Sequence, residues 1–170
     1  MSERSGTLIR CCAAFAVTAV LSGCTVVHAQ LISTHSPGAP PASSAERAVV
    51  DSLNRFRGEW GLPALKVQGD LANKARSWAE WMAAGNCGRN ASGSPGICHS
   101  SLTNGIHVQW SVLAENVGAA SPPTNLGGVM TGFEHSSEHA ANILNRNVTS
   151  VGAGVAYADN MVFVVEEFMG

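Results

Sequence analysis

The sequence predicts an α+β domain, and three observations predict it. Apolar residues recur at helical spacing twice between Ser43 and Gly85, two strand-like runs close the chain around a short turn, and no strand-helix-strand alternation joins the halves. Helices first and strands last argue against the βαβ repeats of a parallel sheet. The 170 residues, 45% hydrophobic and 13% charged, suffice for one domain with its own core plus a terminal appendage. A net charge of -2 with only 10 Lys and Arg gives no surface for gripping phosphate backbones, so no nucleic-acid partner is expected.

In chain order, residues 1–29 read as an export signal. Arg4 and Arg10 lead into the apolar run CCAAFAVTAVL, which is too short to span a bilayer. Two processing sites compete there. Leu21-Ser22-Gly23-Cys24 resembles a lipobox, in which Cys24 would be lipidated and tie the chain to the membrane, and Val27-His28-Ala29 resembles an ordinary signal-peptidase site; the lipobox is favoured. Residues 30–42, rich in Pro and Ser, read as a tether, and 43–170 as the domain.

The first helix is signalled by the capping-box spacing of Ser43 and Glu46. Val49, Leu53, Phe56 and Trp60 then form its apolar stripe, and Gly61 and Pro63 stop it. Asp70 is the expected cap of a second helix, with Leu71, Ala75, Trp78 and Met82 on its buried face and Gly85 as a left-handed stop. The stretch from Cys87 to Pro123 is irregular, with one short strand expected near Leu113–Val117. Leu126, Val129, Met130 and Phe133 predict a third helix, and SEHAANIL a short further one. VGAGVAY and MVFVVEEF, around Ala158-Asp159-Asn160, predict a β-hairpin.

Of the five cysteines, only Cys87 and Cys98 fall in the domain, and an even pair in an exported chain predicts a disulfide. Their spacing matches no zinc finger.

His135-Ser136-Ser137-Glu138-His139 spells the H-x-x-E-H pattern of inverted zinc peptidases. That reading lacks a third ligand, because the 31 residues after His139 are taken by the hairpin. Ser136 and Ser137 also suit a helix start better than a continuous helix.

A different constellation fits. CHSSL, LAENVG, GFEHSSEHAANILNRNVTSVGAGV and FVVEEF resemble the bacterial branch of the CAP superfamily, the cysteine-rich secretory protein, antigen 5 and pathogenesis-related group, over about Ser43 to Phe168. The matches are Glu115-Asn116-Val117, then Phe133, Ser136, His139 and Asn142-Ile143-Leu144, then the glycine-containing strand from Val151. The resemblance implies a three-layer α-β-α sandwich with a small antiparallel sheet. It also implies a cavity in which His99, Glu115 and His139 gather, with Asn116, Ser136 and Glu138 as supporting neighbours, and which accepts a divalent cation. No Glu lies between Leu126 and Thr131, so Glu134 or Glu138 would have to supply the family's further carboxylate. Two imidazoles and one carboxylate are a common open zinc set. The alternative is a hydrogen-bonded polar cluster without metal.

The expected function is therefore that of an exported envelope protein, lipid-anchored or secreted, binding a lipid-like or other small apolar ligand in its groove. Metal-assisted hydrolysis by His99, Glu115 and His139 is the alternative, weakened because no nucleophile or oxyanion hole is assignable. A structural or host-interaction role is the third.

Overall fold

The computed structural model describes residues 41–170. The expected signal, Cys24 and nearly all of the tether lie outside the described residues. Helix α1, Ser44–Glu59, opens with the expected capping box: Glu46 N–H donates to Ser43 Oγ at 3.1 Å and Ser43 N–H to Glu46 Oε2 at 2.7 Å. Val49 and Leu53 are fully buried. Trp60 does not extend that stripe as expected; it caps the helix C-terminus and stays 63% exposed, because the chain turns away at Gly61 with φ 67°.

Strand β1, Lys66–Val67, is followed by helix α2, Gly69–Ala83. Its cap is Gln68, not Asp70: the Gln68 side chain accepts from Leu71 N–H at 2.8 Å. Asp70 sits inside the first turn, where its charge suits the helix N-terminus, and accepts from His107 N–H at 2.9 Å. Gly85, with φ 83°, stops the helix as expected. Strand β2, Leu113–Ala120, helices α3, Leu126–His135, and α4, Ser137–Ile143, and strands β3, Ser150–Ala158, and β4, Met161–Met169, complete the chain. Asp159 and Asn160, with φ 49° and 60°, make the two-residue turn that matches strand twist in a hairpin.

The sheet order is β1-β3-β4-β2. β4 pairs antiparallel with both β3 and β2, and β1 adds a short parallel edge that the sequence did not announce. Side chains alternate across a strand, so β4 feeds two cores. Phe163 and Val165 pack with Ala75, Ala79 and Met82 of α2, while Val162, Val164 and Phe168 pack with Val49, Leu53, Phe133 and Ile143 of α1, α3 and α4. These are the three α-β-α layers. Among the described residues no helix is long and apolar enough to cross a membrane.

Cys87 and Cys98 are bridged, with 5.7 Å between their Cα atoms. The bridge closes a Gly- and Ser-rich loop that would be highly mobile in the unfolded chain. Replacing both cysteines by serine is expected to cost roughly 3 kcal/mol in urea unfolding. Trp78 shares this anchorage, since its indole N–H donates to the Cys98 carbonyl at 2.8 Å.

Candidate functional site

β4 is buried on both faces, yet it carries Glu166 and Glu167, one for each face. Register places Glu115 of β2 opposite Glu167, and Asn116 opposite Glu166. The first pair faces α2 and the second faces α3 and α4.

On the α2 face, Glu115 Oε1 accepts from Ser100 N–H at 2.9 Å and pairs with His99 Nδ1 at 2.8 Å. Lys74 Nζ donates to Ser100 Oγ at 2.6 Å and to Glu167 Oε1, and lies 3.8 Å from Glu115 Oε2. The Lys74, Glu115 and Glu167 side chains are almost wholly buried, whereas the His99 ring is 64% exposed. Burial, followed by the hydrogen bond with Glu115, pushes the Glu167 carboxyl up to about 8 against the pull of Lys74. Burial also acts upward on Glu115, but hydrogen bonds from Glu167, Ser100 and His99 outweigh it and hold that carboxyl below its ordinary value. The two carboxyls are thus driven apart, Glu167 up and Glu115 down, with the Lys74 ammonium facing both.

On the other face, Asn116 Nδ2 donates to Glu166 Oε2 at 2.9 Å and to the His139 carbonyl at 3.2 Å, while Asn142 Nδ2 donates to Asn116 Oδ1 at 2.9 Å. The His139 ring rests on Phe133, centroids 4.9 Å apart, and its Nδ1 is buried with no hydrogen-bond partner among the described residues. Ser136 caps α4, accepting from His139 N–H at 3.5 Å, and Glu138 is exposed. Glu134 accepts from Ser52 Oγ at 3.3 Å and lies 3.6 Å from Arg55, away from the His99 pair. His135 ends α3, exposed, with Nδ1 donating to the Thr131 carbonyl at 2.8 Å. The two histidines of the H-x-x-E-H string therefore belong to different helices.

Burial pushes the Glu166 carboxyl up to about 8; the Asn116 hydrogen bond opposes this and the nearby Glu134 charge adds to it. An acid whose pKa is higher folded than unfolded holds a proton that the unfolded chain releases. Its contribution is greatest below 4.5 and is lost as pH rises toward about 8. Glu166→Gln keeps the acceptor for Asn116 without that loss. The variant is expected to gain about 1–3 kcal/mol relative to the parent between mildly acidic and mildly alkaline pH, read from urea midpoints at both ends.

The structure thus joins His99 to Glu115 and reaches His139 from the Asn116 side. Among the described residues no group of three or more His, Cys, Asp or Glu is placed to hold a metal ion. The charge of the Glu115/Glu167 pair is met by Lys74. Lys74, Glu166 and Glu167 were missed in the sequence. The signal was present in FVVEEF: adjacent acids inside a strand otherwise apolar on both faces must both be buried.

A cleft of about 510 Å³ opens beside Lys74 and Ser100, between α2 and the segment that follows His99. Trp78 and Trp81 stack along it with centroids 4.5 Å apart and planes 12° from parallel, and Trp81 remains 40% exposed. Ser77, Asn104 and His107 supply a polar rim.

Comparison with known proteins shows the family and the fold. The family model described as "CAP: Cysteine-rich secretory protein family" matches residues 50–168, more than half of the chain. No curated protein matches the sequence. Among solved structures, the chain is similar to a cysteine-rich secretory protein from Staphylococcus aureus, with 18% identity, TM-score 0.55, and coverage of 76% of this chain and 40% of that one. It is also similar to an extracellular SCP-domain protein from Bacillus anthracis, with 22% identity, TM-score 0.58, and coverage of 77% of this chain and 45% of that one. A third is an outer surface protein from Borrelia burgdorferi, with 15% identity, TM-score 0.60, and coverage of 76% and 95%. The chain thus spans less than half the length of the first two. These likenesses establish the fold.

Proposed function

The chain belongs to the cysteine-rich secretory protein (CAP) family, and on that premise we propose that it is an exported binding module that takes a small amphiphilic ligand in the cleft beside α2. The carrying observation is the stacked Trp78/Trp81 pair lining a cleft that runs to the buried Lys74 and Ser100. Half-exposed indole faces offer apolar area at little entropic cost, and the few polar groups at the end and rim would orient what settles on them. The hydrolase alternative requires His139 to join His99 and Glu115, and its ring is instead packed on Phe133. Binding is the reading that the side chains favour.

Export is part of the same proposal, supported by Leu21-Ser22-Gly23-Cys24 and by the extracellular and outer-surface character of the bacterial proteins it resembles. Lipid attachment at Cys24 would hold the domain at the membrane through residues 30–42.

The test is titration with the amphiphilic dye 1-anilinonaphthalene-8-sulfonate, following quenching of indole emission, alongside native mass spectrometry of the protein as purified. Trp81→Ala is expected to weaken dye binding at least tenfold while circular dichroism stays unchanged. Equal affinity in parent and variant would overturn the cleft as the ligand site.

A further inference from the structure

We propose that Lys74 is a built-in cation: its ammonium holds the Glu115/Glu167 carboxylate pair together, and this polar centre works without a divalent metal. Glu115 and Glu167 are direct cross-strand neighbours on one face, so their carboxylates converge. With Ser100 Oγ beside them and His99 on Glu115 Oε1, they form an oxygen-rich, buried donor set. Left to itself, such a set carries uncompensated negative charge and calls for a cation.

Lys74 answers that need from α2. Its Nζ contacts Glu167 Oε1, lies 2.6 Å from Ser100 Oγ and 3.8 Å from Glu115 Oε2, so one ammonium faces oxygens from three separate segments. Two of its N–H donors serve Glu167 and Ser100, while Glu115 Oε2, buried with no hydrogen-bond partner among the described residues, meets the ammonium through charge alone. The Lys74 side chain is only 6% exposed, so it does not swing away into water without leaving the carboxylates uncompensated. A divalent ion bound to the same oxygens would sit within a few ångströms of the ammonium, where like charges repel strongly even at an effective dielectric of about 20.

The inference does not depend on the ligand proposed for the cleft: dye binding reports the indoles, metal binding reports the carboxylates, and each can fail alone. Chelator-treated protein is titrated with Mn²⁺ and, separately, Zn²⁺ by calorimetry. The parent is expected to show no saturable binding that Glu115→Gln removes; ion uptake that persists in Glu115→Gln belongs to surface histidines and agrees with the proposal. Lys74→Met keeps the aliphatic stem and deletes the charge. It is expected to acquire one-to-one binding at least tenfold tighter than the parent, and Lys74→Met/Glu167→Gln should lose it again. One-to-one binding by the parent that Glu115→Gln abolishes would overturn the proposal, as would a folded Lys74→Met that binds no tighter. Should Lys74→Met fail to fold in chelator, recovery of its far-ultraviolet spectrum by millimolar Mn²⁺ is the supporting result, and a parent whose melting temperature rises saturably with Mn²⁺ in a Glu115-dependent way is the opposing one.

Discussion

Gly154→Ala is expected to lower stability by at least about 3 kcal/mol, more than an ordinary overpacking substitution. A Cβ at this position would stand 2.1 Å from the Ala75 carbonyl oxygen and 2.4 Å from Arg76 N. Gly152 meets the helix in the same way, its Cβ falling 2.1 Å from the Leu71 carbonyl carbon. These are backbone atoms, which no rotamer change can move. The spacing explains the fit: two strand residues and one helical turn both advance roughly 6 Å, so alternate glycines of β3 meet Leu71 and Ala75 of α2 in step. One methyl group would lift α2 off the sheet and with it the buried Ala79 and Met82. Urea unfolding checks this, with Gly127→Ala as a control, because a Cβ in that α3 position meets nothing within 4 Å. The control is expected to be neutral or stabilising by up to about 1 kcal/mol. A Gly154→Ala protein as stable as its parent would show that the helix does not lie this close.

Removing the Arg57 guanidinium is expected to cost about 3–5 kcal/mol. Arg57 is 2% exposed near the C-terminus of α1. Its Nε donates to the Pro63 carbonyl at 2.9 Å, and its Nη1 to the carbonyls of Ile143 at 2.6 Å and Asn145 at 3.1 Å. One planar side chain therefore fastens the end of α4 to the loop that leaves α1. Burial pulls its pKa down from the ordinary arginine value, a cost offset by these charge-assisted bonds. Arg57→Met would fill the space and leave three carbonyls without their donor. Arg57→Lys would keep the charge but lose the fork, and is expected to lose at least about 2 kcal/mol. Thermal melts of both variants, with amide exchange at 143–147, test the assignment. Indifference to Arg57→Lys would mean that charge alone suffices there.

The elements most legible in the sequence are those set within a few residues. The Ser43/Glu46 box, the Gly85 stop and the Asp159-Asn160 turn are contacts among near neighbours, and each is found where the residues announce it. The two local misreadings have the same kind of cause. Asp70 looks like a cap, yet the cap two residues earlier, at Gln68, also brings Asp70 to His107. Trp60 keeps helical spacing with Phe56, but the helix has already ended there, and the indole meets Phe56 only edge-on, centroids 6.3 Å apart.

The candidate site was half legible. His99 and Glu115 could be paired because the motifs that carry the family resemblance contain them. Lys74 could not, because nothing near it in the chain distinguishes it from a solvated helix lysine. It becomes part of the site only when Gly152 and Gly154 let α2 settle against β3 and the β2–β4 register sets Glu115 opposite Glu167.

By itself, then, the sequence determined the α+β class, the order and approximate ends of its helices and hairpin, the cysteine pair and the family, since all of these rest on short-range periodicity, caps or ordered motifs. Only the tertiary structure decided which acids are buried, that Lys74 supplies their positive charge, and that His139 approaches from the Asn116 side while His99 approaches from the other. Strand register and helix-to-sheet distance belong to pairs of segments far apart in the chain, and alternation along β2 and β4 then assigns each neighbouring residue to an opposite face.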